Sequence, residues 1–168
     1  AEAQPAWAAR AGEAADRLAV AASEIALYAG LPQLAWRWVK AESLSGRASP
    51  GLLLATMRVA QYIGENREAR RAAERALALF QAIGDRLGEA NTLQSLGDLD
   101  VREARLAEAR PRYERALALF QTIREPLGEA SIRKSLGELD VREDRLPEAR
   151  QRYERALATY QAIGDRLG

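Results

Sequence analysis

The chain has 168 residues, a length typical of one domain, and its 25 basic and 24 acidic side chains leave a formal net charge of +1. This near balance argues against a basic stripe that would bind nucleic acid. The sequence has no cysteine and no histidine, which excludes disulfides, Cys/His zinc sites and catalysis by a thiol or an imidazole. Its 35 alanines and few β-branched residues favour helix over sheet.

Apolar residues at helical spacing predict eight helices along the chain. In the N-terminal half these cover about residues 5–29, 32–45, 50–63 and 66–83, and in the C-terminal half about 86–103, 106–123, 126–143 and 146–163. The junctions carry matching signals: Gly84 suits a left-handed helix end, Asp85 can cap the next helix, and Pro126 fits a first turn. The most apolar stretch, residues 18–38, is interrupted by charged residues and by proline, so no membrane span is expected.

Similar strings recur every 40 residues. AERALALF begins at Ala73, YERALALF at Tyr113 and YERALATY at Tyr153, and residues 87–126 match residues 127–166 at 26 of 40 positions. Fainter copies begin near residues 50 and 16. The pattern predicts one array of four units, at about residues 16–49, 50–89, 90–129 and 130–168. Because a single helix pair cannot bury both of its apolar faces, neighbouring pairs are expected to stack.

The last residues of the chain, Asp165 to Gly168, repeat the string DRLG that opens another unit at Asp85. We therefore expect the chain to be part of a longer array. A terminal repeat without a polar cap exposes apolar surface. Some end-to-end self-association is expected for this reason.

Small and aromatic residues recur at fixed offsets in the third and fourth units. The set is Leu93, Gly97, Ala109, Tyr113 and Ala116 in one unit, and Gly137, Ala149, Tyr153 and Ala156 in the next. This pattern resembles the tetratricopeptide repeat (TPR) family, and the 40-residue period is similar to the long-helix variant of kinesin light chains and of arrays in bacterial signalling ATPases and regulators. The resemblance implies an all-α fold of about four antiparallel helix pairs stacked into a right-handed superhelical solenoid.

The resemblance also implies a concave groove that is lined by the first helix of each unit and receives an extended or helical segment of a partner protein. The residues at the family's groove offsets are Leu54, Arg58 and Tyr62, then Asn91, Gln94, Asp98 and Arg102, and finally Ser131, Lys134, Glu138 and Arg142. The lining is polar and mixed in sign, and Leu54 and Tyr62 beside Arg58 offer an apolar anchor flanked by charge. A clamp for a terminal carboxylate is not expected, since Asp98 and Glu138 stand where Asn would be needed.

Structural explanations compete with chemical ones for several of these residues. Asp98 and Asp100, like Glu138 and Asp140, are two residues apart and do not converge on a helix, so neither an acid–base pair nor a metal site is expected. Exposed ion pairs with arginines four residues away account for most of the acids. The small residues are expected to let helices cross closely. The aromatics Tyr113, Phe120, Tyr153 and Tyr160 fall on the apolar stripe and are expected in the core.

The leading hypothesis for function is a non-catalytic protein–protein interaction module. It would bind a peptide or protein segment in its groove, without cofactor, metal, membrane or nucleic acid, as a sensor or scaffold part of a larger cytoplasmic signalling protein of bacteria. The alternative is a structural spacer or self-association element that has no peptide ligand. A third hypothesis, a nucleic-acid-binding repeat, draws on the 23 arginines, but almost equal numbers of acids oppose them.

Overall fold

A computed structural model describes residues 6–43 and 49–164, and this part of the chain contains eight α-helices and no strand. The helices are α1 (Ala6–Tyr28), α2 (Pro32–Ser43), α3 (Pro50–Tyr62), α4 (Asn66–Ile83), α5 (Arg86–Arg102), α6 (Leu106–Ile123), α7 (Pro126–Arg142) and α8 (Leu146–Gly164). The predicted ends agree with these bounds to within one residue, except that the ends expected at residues 5 and 45 lie outside the described residues. The all-α prediction is confirmed.

The junctions between helices have the predicted chemistry. Gly84 has a positive φ of 74°, and the Asp85 carboxylate accepts a hydrogen bond from the Gly88 amide at 2.9 Å. Pro126 occupies the first turn of α7. Left-handed backbone also occurs at Ala104, where φ is 58° although a side chain is present. Such positions favour glycine.

The helices cluster into two compact units, residues 1–79 and residues 80–168. In unit 1, α1, α2 and α3 all pack against one another, and α4 contributes buried alanines. In unit 2, α5 packs against α6 and α7 against α8 as two antiparallel pairs, while α6 and α5 also contact α7. The assignment of all four pairs to one continuous array stays a prediction.

Glycines in unit 2 allow aromatic rings to approach the helix backbone. A Cβ atom added at Gly97 would lie 2.5 Å from Cε1 of Tyr113, and one at Gly137 would lie 2.9 Å from Cε1 of Tyr153. The prediction that these glycines serve close helix crossing is confirmed. The repeat pattern did not predict two further close approaches, of the Phe80 ring to the backbone of Gly88 and of the Phe120 ring to the backbone of Gly128.

Two aspartates depart from the expectation that exposed ion pairs account for most of the acids. Asp100 and Asp140 are completely buried. Asp140 accepts hydrogen bonds from Arg110 and Arg152, each at 2.7 Å, and forms an ion pair with Arg145 at 2.9 Å. Burial without such partners would be very costly for a carboxylate. The arginines therefore make the burial of these two carboxylates possible.

The pair between Arg110 and Asp140 connects α6 to α7 and so links the two helix pairs of unit 2. Arg110 also donates to Glu143 at 2.8 Å. Arg110 therefore bonds to acids of another helix, whereas the spacing predicted that acids pair with arginines four residues away on the same helix. Asp100 accepts hydrogen bonds from Arg105 and Arg112, the counterparts of Arg145 and Arg152, within its own helix pair.

The core prediction fails at the far end of unit 2. Tyr113 and Phe120 are buried as expected, but Tyr153 is only partly covered and Tyr160 is exposed. The physical reason is that α7 covers α6, whereas no helix within residues 49–164 covers the corresponding side of α8.

Candidate functional site

A depression of about 360 Å³ lies between α5 and α7, the first helices of the two pairs in unit 2. It is lined by Gln94, Asp98, Val101, Arg102, Tyr113, Ser131, Lys134, Ser135 and Glu138. Six of these residues are among those expected to form the groove: Gln94, Asp98, Arg102, Ser131, Lys134 and Glu138. The packing of α5 against α7 thus brings together residues that are far apart in the chain.

Helical spacing and one hydrogen bond position the polar lining. Gln94, Asp98 and Arg102 follow one another at intervals of four and therefore share a face of α5. The Gln94 Nε2 donates to the Ser131 Oγ at 2.9 Å, which joins α5 to α7 at the edge of the depression. On α7, the Lys134 Nζ lies 3.4 Å from the Glu138 Oε1.

Asp98 is hydrogen-bonded to Tyr113, which lies on α6. The Tyr113 hydroxyl donates to the Asp98 Oδ1 at 2.7 Å. Burial raises the pKa of the Asp98 carboxyl, and the hydrogen bond from Tyr113 and the charge of Arg102 oppose this rise without cancelling it. Burial and the neighbouring Asp98 also raise the pKa of Tyr113, so the hydroxyl remains a hydrogen-bond donor. The position of Tyr113 on the apolar stripe predicts a core residue and gives no sign of this hydrogen bond.

The corresponding acid of the next pair behaves differently. Glu138 stands 40 residues after Asp98, but it is exposed and pairs with Lys134. Burial, together with the charge of Glu138, raises the pKa of Tyr153, the counterpart of Tyr113. The two repeats therefore present one sheltered and one solvated carboxylate to the same depression.

The other expected groove residues lie outside this depression. Asn91 and Arg142 are exposed on α5 and α7 but are absent from its lining. In unit 1, Leu54 is half-buried, Tyr62 is exposed, and Arg58 donates to Glu24 at 2.6 Å, which connects α3 to α1.

Unit 1 has a more apolar depression of about 500 Å³ on another face of α3. Leu53 and Thr56 line it, together with Trp36 of α2 and residues of α4. The Lys40 Nζ lies 5.2 Å from the centroid of the Trp36 ring, within cation–π range. An apolar anchor was expected at Leu54 and Tyr62. Unit 1 also has this second apolar surface, which the sequence pattern did not predict.

The depression of unit 2 offers groups that form hydrogen bonds and ion pairs. It presents carboxylates, an ammonium, a guanidinium, an amide and hydroxyls within a volume of about 360 Å³. Among the side chains that the structure describes, those of residues 14–40 and 49–164, no three His, Cys, Asp or Glu form a group that could hold a metal ion. No helix within residues 6–43 and 49–164 has the length and hydropathy of a membrane span.

Several solved structures share the fold at low sequence identity. MamA has a TM-score of 0.73 and 18% identity, covering 89% of this chain and 81% of that chain. BtubC (BKLC) from P. vanneervenii has a TM-score of 0.73 and 22% identity, over 94% of this chain and 72% of its own. Aspartyl phosphate phosphatase F from Bacillus subtilis has a TM-score of 0.78 and 14% identity over 89% of this chain, which spans only 41% of the phosphatase. These likenesses show the fold alone.

A search of curated proteins finds no match to this chain. The family model described as tetratricopeptide repeat matches residues 54–122 and residues 102–162. Together the two matches extend over residues 54–162, well over half of the 168 residues. The chain belongs to the tetratricopeptide repeat family.

Proposed function

We propose that the depression between α5 and α7 binds a segment of a partner protein and catalyses no reaction on it. The observation that carries this proposal is the convergence of Asp98, Arg102, Lys134 and Glu138 around one depression of about 360 Å³. Membership of a family of interaction modules supports it. Because both signs of charge line the depression, the favoured segment carries basic and acidic side chains in alternation.

The flanking groove residues extend the proposed contact surface. Asn91 and Arg142 lie on the same helices, beyond the lining of the depression. Leu54, Arg58 and Tyr62 provide a second, more apolar set in unit 1. We assign Asn91 and Arg142 to the ends of a longer bound segment, with the strongest contacts at the depression itself. Leu54, Arg58 and Tyr62 form a separate contact surface of unit 1 in this proposal.

Charge reversal tests the proposal. Short peptides are selected by display against the whole chain, and the affinity of a selected peptide is measured by fluorescence anisotropy. Arg102→Glu and Lys134→Glu are each expected to weaken binding about tenfold or more. Arg67→Glu, the same change at an exposed arginine of α4 in unit 1, serves as the control and is expected to leave the affinity within about twofold.

Equal affinities for all three variants and the unchanged chain would place the peptide elsewhere and overturn the proposal. Circular dichroism separates this result from loss of structure, since each variant should keep the helical signal. Failure to select any peptide would favour the alternative function, a spacer or self-association element without a peptide ligand.

We propose further that this binding serves a larger cytoplasmic signalling protein of bacteria. The support is the resemblance of the 40-residue repeat to arrays in bacterial signalling ATPases and regulators. The complete gene tests this assignment: a nucleotide-binding or regulatory domain in the same reading frame is expected. A secretory leader ahead of the repeats would contradict it.

A further inference from the structure

Helix α7 carries an arginine where the two earlier repeats carry a buried leucine. Arg133 stands 40 residues after Leu93 and 80 residues after Leu53, and both leucines are in the core. The Arg133 side chain is itself only 16% exposed. Burying a guanidinium costs more than burying a leucine. Because leucine fills this position in two other repeats, the helix packing does not require the arginine.

Arg133 lines a cavity of about 210 Å³ between α6, α7 and α8. The other residues that line it are Leu117, Gln121, Glu148, Gln151, Arg152 and Arg155. Three guanidiniums and two side-chain amides therefore surround one small space. Pockets that take whole small molecules have roughly 300 to 1,000 Å³, so this cavity suits a small ion or one group of a larger ligand.

The depression beside Trp36 in unit 1 is the counterpart of this cavity. Its lining residues Leu53, Glu68, Arg71, Ala72 and Arg75 stand 80 residues before Arg133, Glu148, Gln151, Arg152 and Arg155. Two apolar positions of the unit 1 depression, those of Leu53 and Ala72, thus hold arginines in unit 2. The same place in the repeat is apolar in one unit and basic in the other.

Arg133 also changes the pairing of a second arginine. In the preceding repeat, Arg115 donates a hydrogen bond to Glu89. The counterparts of these two residues are Arg155 and Glu129, but Glu129 forms its ion pair with Arg133. Among the residues that the structure describes, none forms an ion pair or a hydrogen bond with the Arg155 side chain. Its positive charge is therefore available beside the cavity.

The remaining charges of the lining leave the Arg155 end the more basic one. Arg152 donates to the buried Asp140 at 2.7 Å, so its charge is already balanced. Glu148 is exposed and stands seven residues before Arg155 on α8, about 10 Å away along the helix axis. The lining carboxylate and the unpaired guanidinium therefore lie toward opposite ends of the cavity.

We infer that this cavity binds a phosphate group, held by the guanidiniums of Arg155 and Arg133 and by the amides of Gln121 and Gln151. A phosphate group carries close to two negative charges at neutral pH and presents three strong acceptor oxygens, one more than a carboxylate. The planar fork of a guanidinium donates to two of these oxygens at once. The site is separate from the depression between α5 and α7. The group belongs to the free ion or to a phosphorylated side chain, and two titrations separate these sources.

The first titration adds inorganic phosphate to the isotopically labelled full chain at constant ionic strength. NMR follows the backbone amides and the arginine Nε–Hε signals. Saturable changes are expected at Arg133 and Arg155 in the millimolar range of phosphate, and acetate at the same concentrations should cause much smaller ones. The second titration adds a short phosphoserine peptide. Tighter binding than that of phosphate would assign the group to a phosphorylated segment, and equal binding would assign it to the free ion.

Variants of the lining test the assignment of residues. Arg155→Ala is expected to weaken phosphate binding about tenfold or more. Arg133→Leu restores the residue of the preceding repeat and should weaken binding as much, because it removes one guanidinium and frees Glu129 to pair with Arg155. Glu148→Gln removes the lining carboxylate and should strengthen binding about twofold or more. The control, Arg115→Ala, removes the same charge outside the cavity and should leave the affinity within about twofold.

Three results would overturn the inference. Arg133→Leu keeps the helical circular dichroism and binds phosphate as tightly as the unchanged chain. Phosphate shifts exposed arginines elsewhere, such as Arg67, as much as Arg155 and without saturation. Acetate binds as tightly as phosphate, which would make the cavity a weak site for any anion.

Discussion

The guanidinium of Arg110 on α6 lies 2.7 Å from the carboxylate of Asp140 on α7, and 30 residues separate the two in the chain. The carboxylate is 1% exposed. This ion pair connects the two helix pairs of unit 2, and its carboxylate is almost completely shielded from water. Loss of the Asp140 carboxylate would remove one acceptor from each of Arg110, Arg145 and Arg152, which makes Asp140 a sensitive point of the fold.

We therefore expect Asp140→Ala to lower the free energy of unfolding by about 2 kcal/mol, because three partly buried arginines lose a charged hydrogen-bond acceptor. Urea unfolding measures the change. Glu138→Ala, at an exposed carboxylate on the same helix, should cost less than about 0.5 kcal/mol. Similar losses for the two variants would show that burial of Asp140 has no energetic consequence.

Gly97→Ala is expected to destabilise unit 2 by about 1 to 3 kcal/mol, since the new methyl group would meet the ring of Tyr113 at 2.5 Å. Helix propensity alone would predict a gain of about 1 kcal/mol, so the sign of the change is decisive. Gly164→Ala, where the added Cβ has no neighbour within 4 Å, provides the comparison by thermal unfolding. A gain in stability at Gly97 would refute the close approach of the ring.

Ala104→Gly is expected to stabilise the chain by about 0.5 to 1 kcal/mol. Ala104 has a φ of 58°, and its repeat counterpart Gly64 has a φ of 82°, so glycine relieves strain at this helix end. Ala118→Gly makes the identical replacement at an exposed position inside α6, where it should destabilise by about 1 kcal/mol. Urea midpoints that move in the same direction for both variants would contradict this explanation.

The raised pKa of Asp98 gives a prediction about pH. Because folding favours the protonated carboxyl, the contribution of Asp98 to stability is fully present below its ordinary pKa of 3.8 and is lost as pH rises through the higher folded value. Asp98→Asn removes the charge but keeps an acceptor for the Tyr113 hydroxyl. The free energy of unfolding that this variant gains over the unchanged chain should be larger at about pH 7 than at about pH 3.

Urea unfolding at both pH values measures this difference. Glu138→Gln is the control, since that carboxylate is exposed and its removal should change the two stabilities about equally. A relative gain for Asp98→Asn at low pH, instead of at neutral pH, would show that the folded state holds the Asp98 charge favourably.

The helices and the meeting of Gln94, Asp98 and Arg102 in one depression follow from the sequence because helical periodicity decides which residues share a face. The partners of buried charges do not follow. Asp140 looks like any surface acid, and its bonds to Arg110 and Arg152 depend on how α6, α7 and α8 pack.

Burial at the end of a repeat series is equally inaccessible from local pattern. Tyr160 has the same sequence surroundings as Phe120, yet it is exposed because the helix that would cover it is absent from residues 49–164. The pattern is also incomplete at Tyr113. Its position predicts a core residue, and only the structure shows its hydrogen bond to Asp98.

The central claim, that a protein segment binds between α5 and α7, is tested most directly by NMR. The isotopically labelled chain is titrated with a peptide selected by display, and backbone amide shifts are followed. We predict that the largest changes fall on Gln94, Arg102 and Lys134 and their neighbours in the depression. Changes confined to the depression beside Trp36, or to the exposed Leu157 and Tyr160 of α8, would contradict the claim.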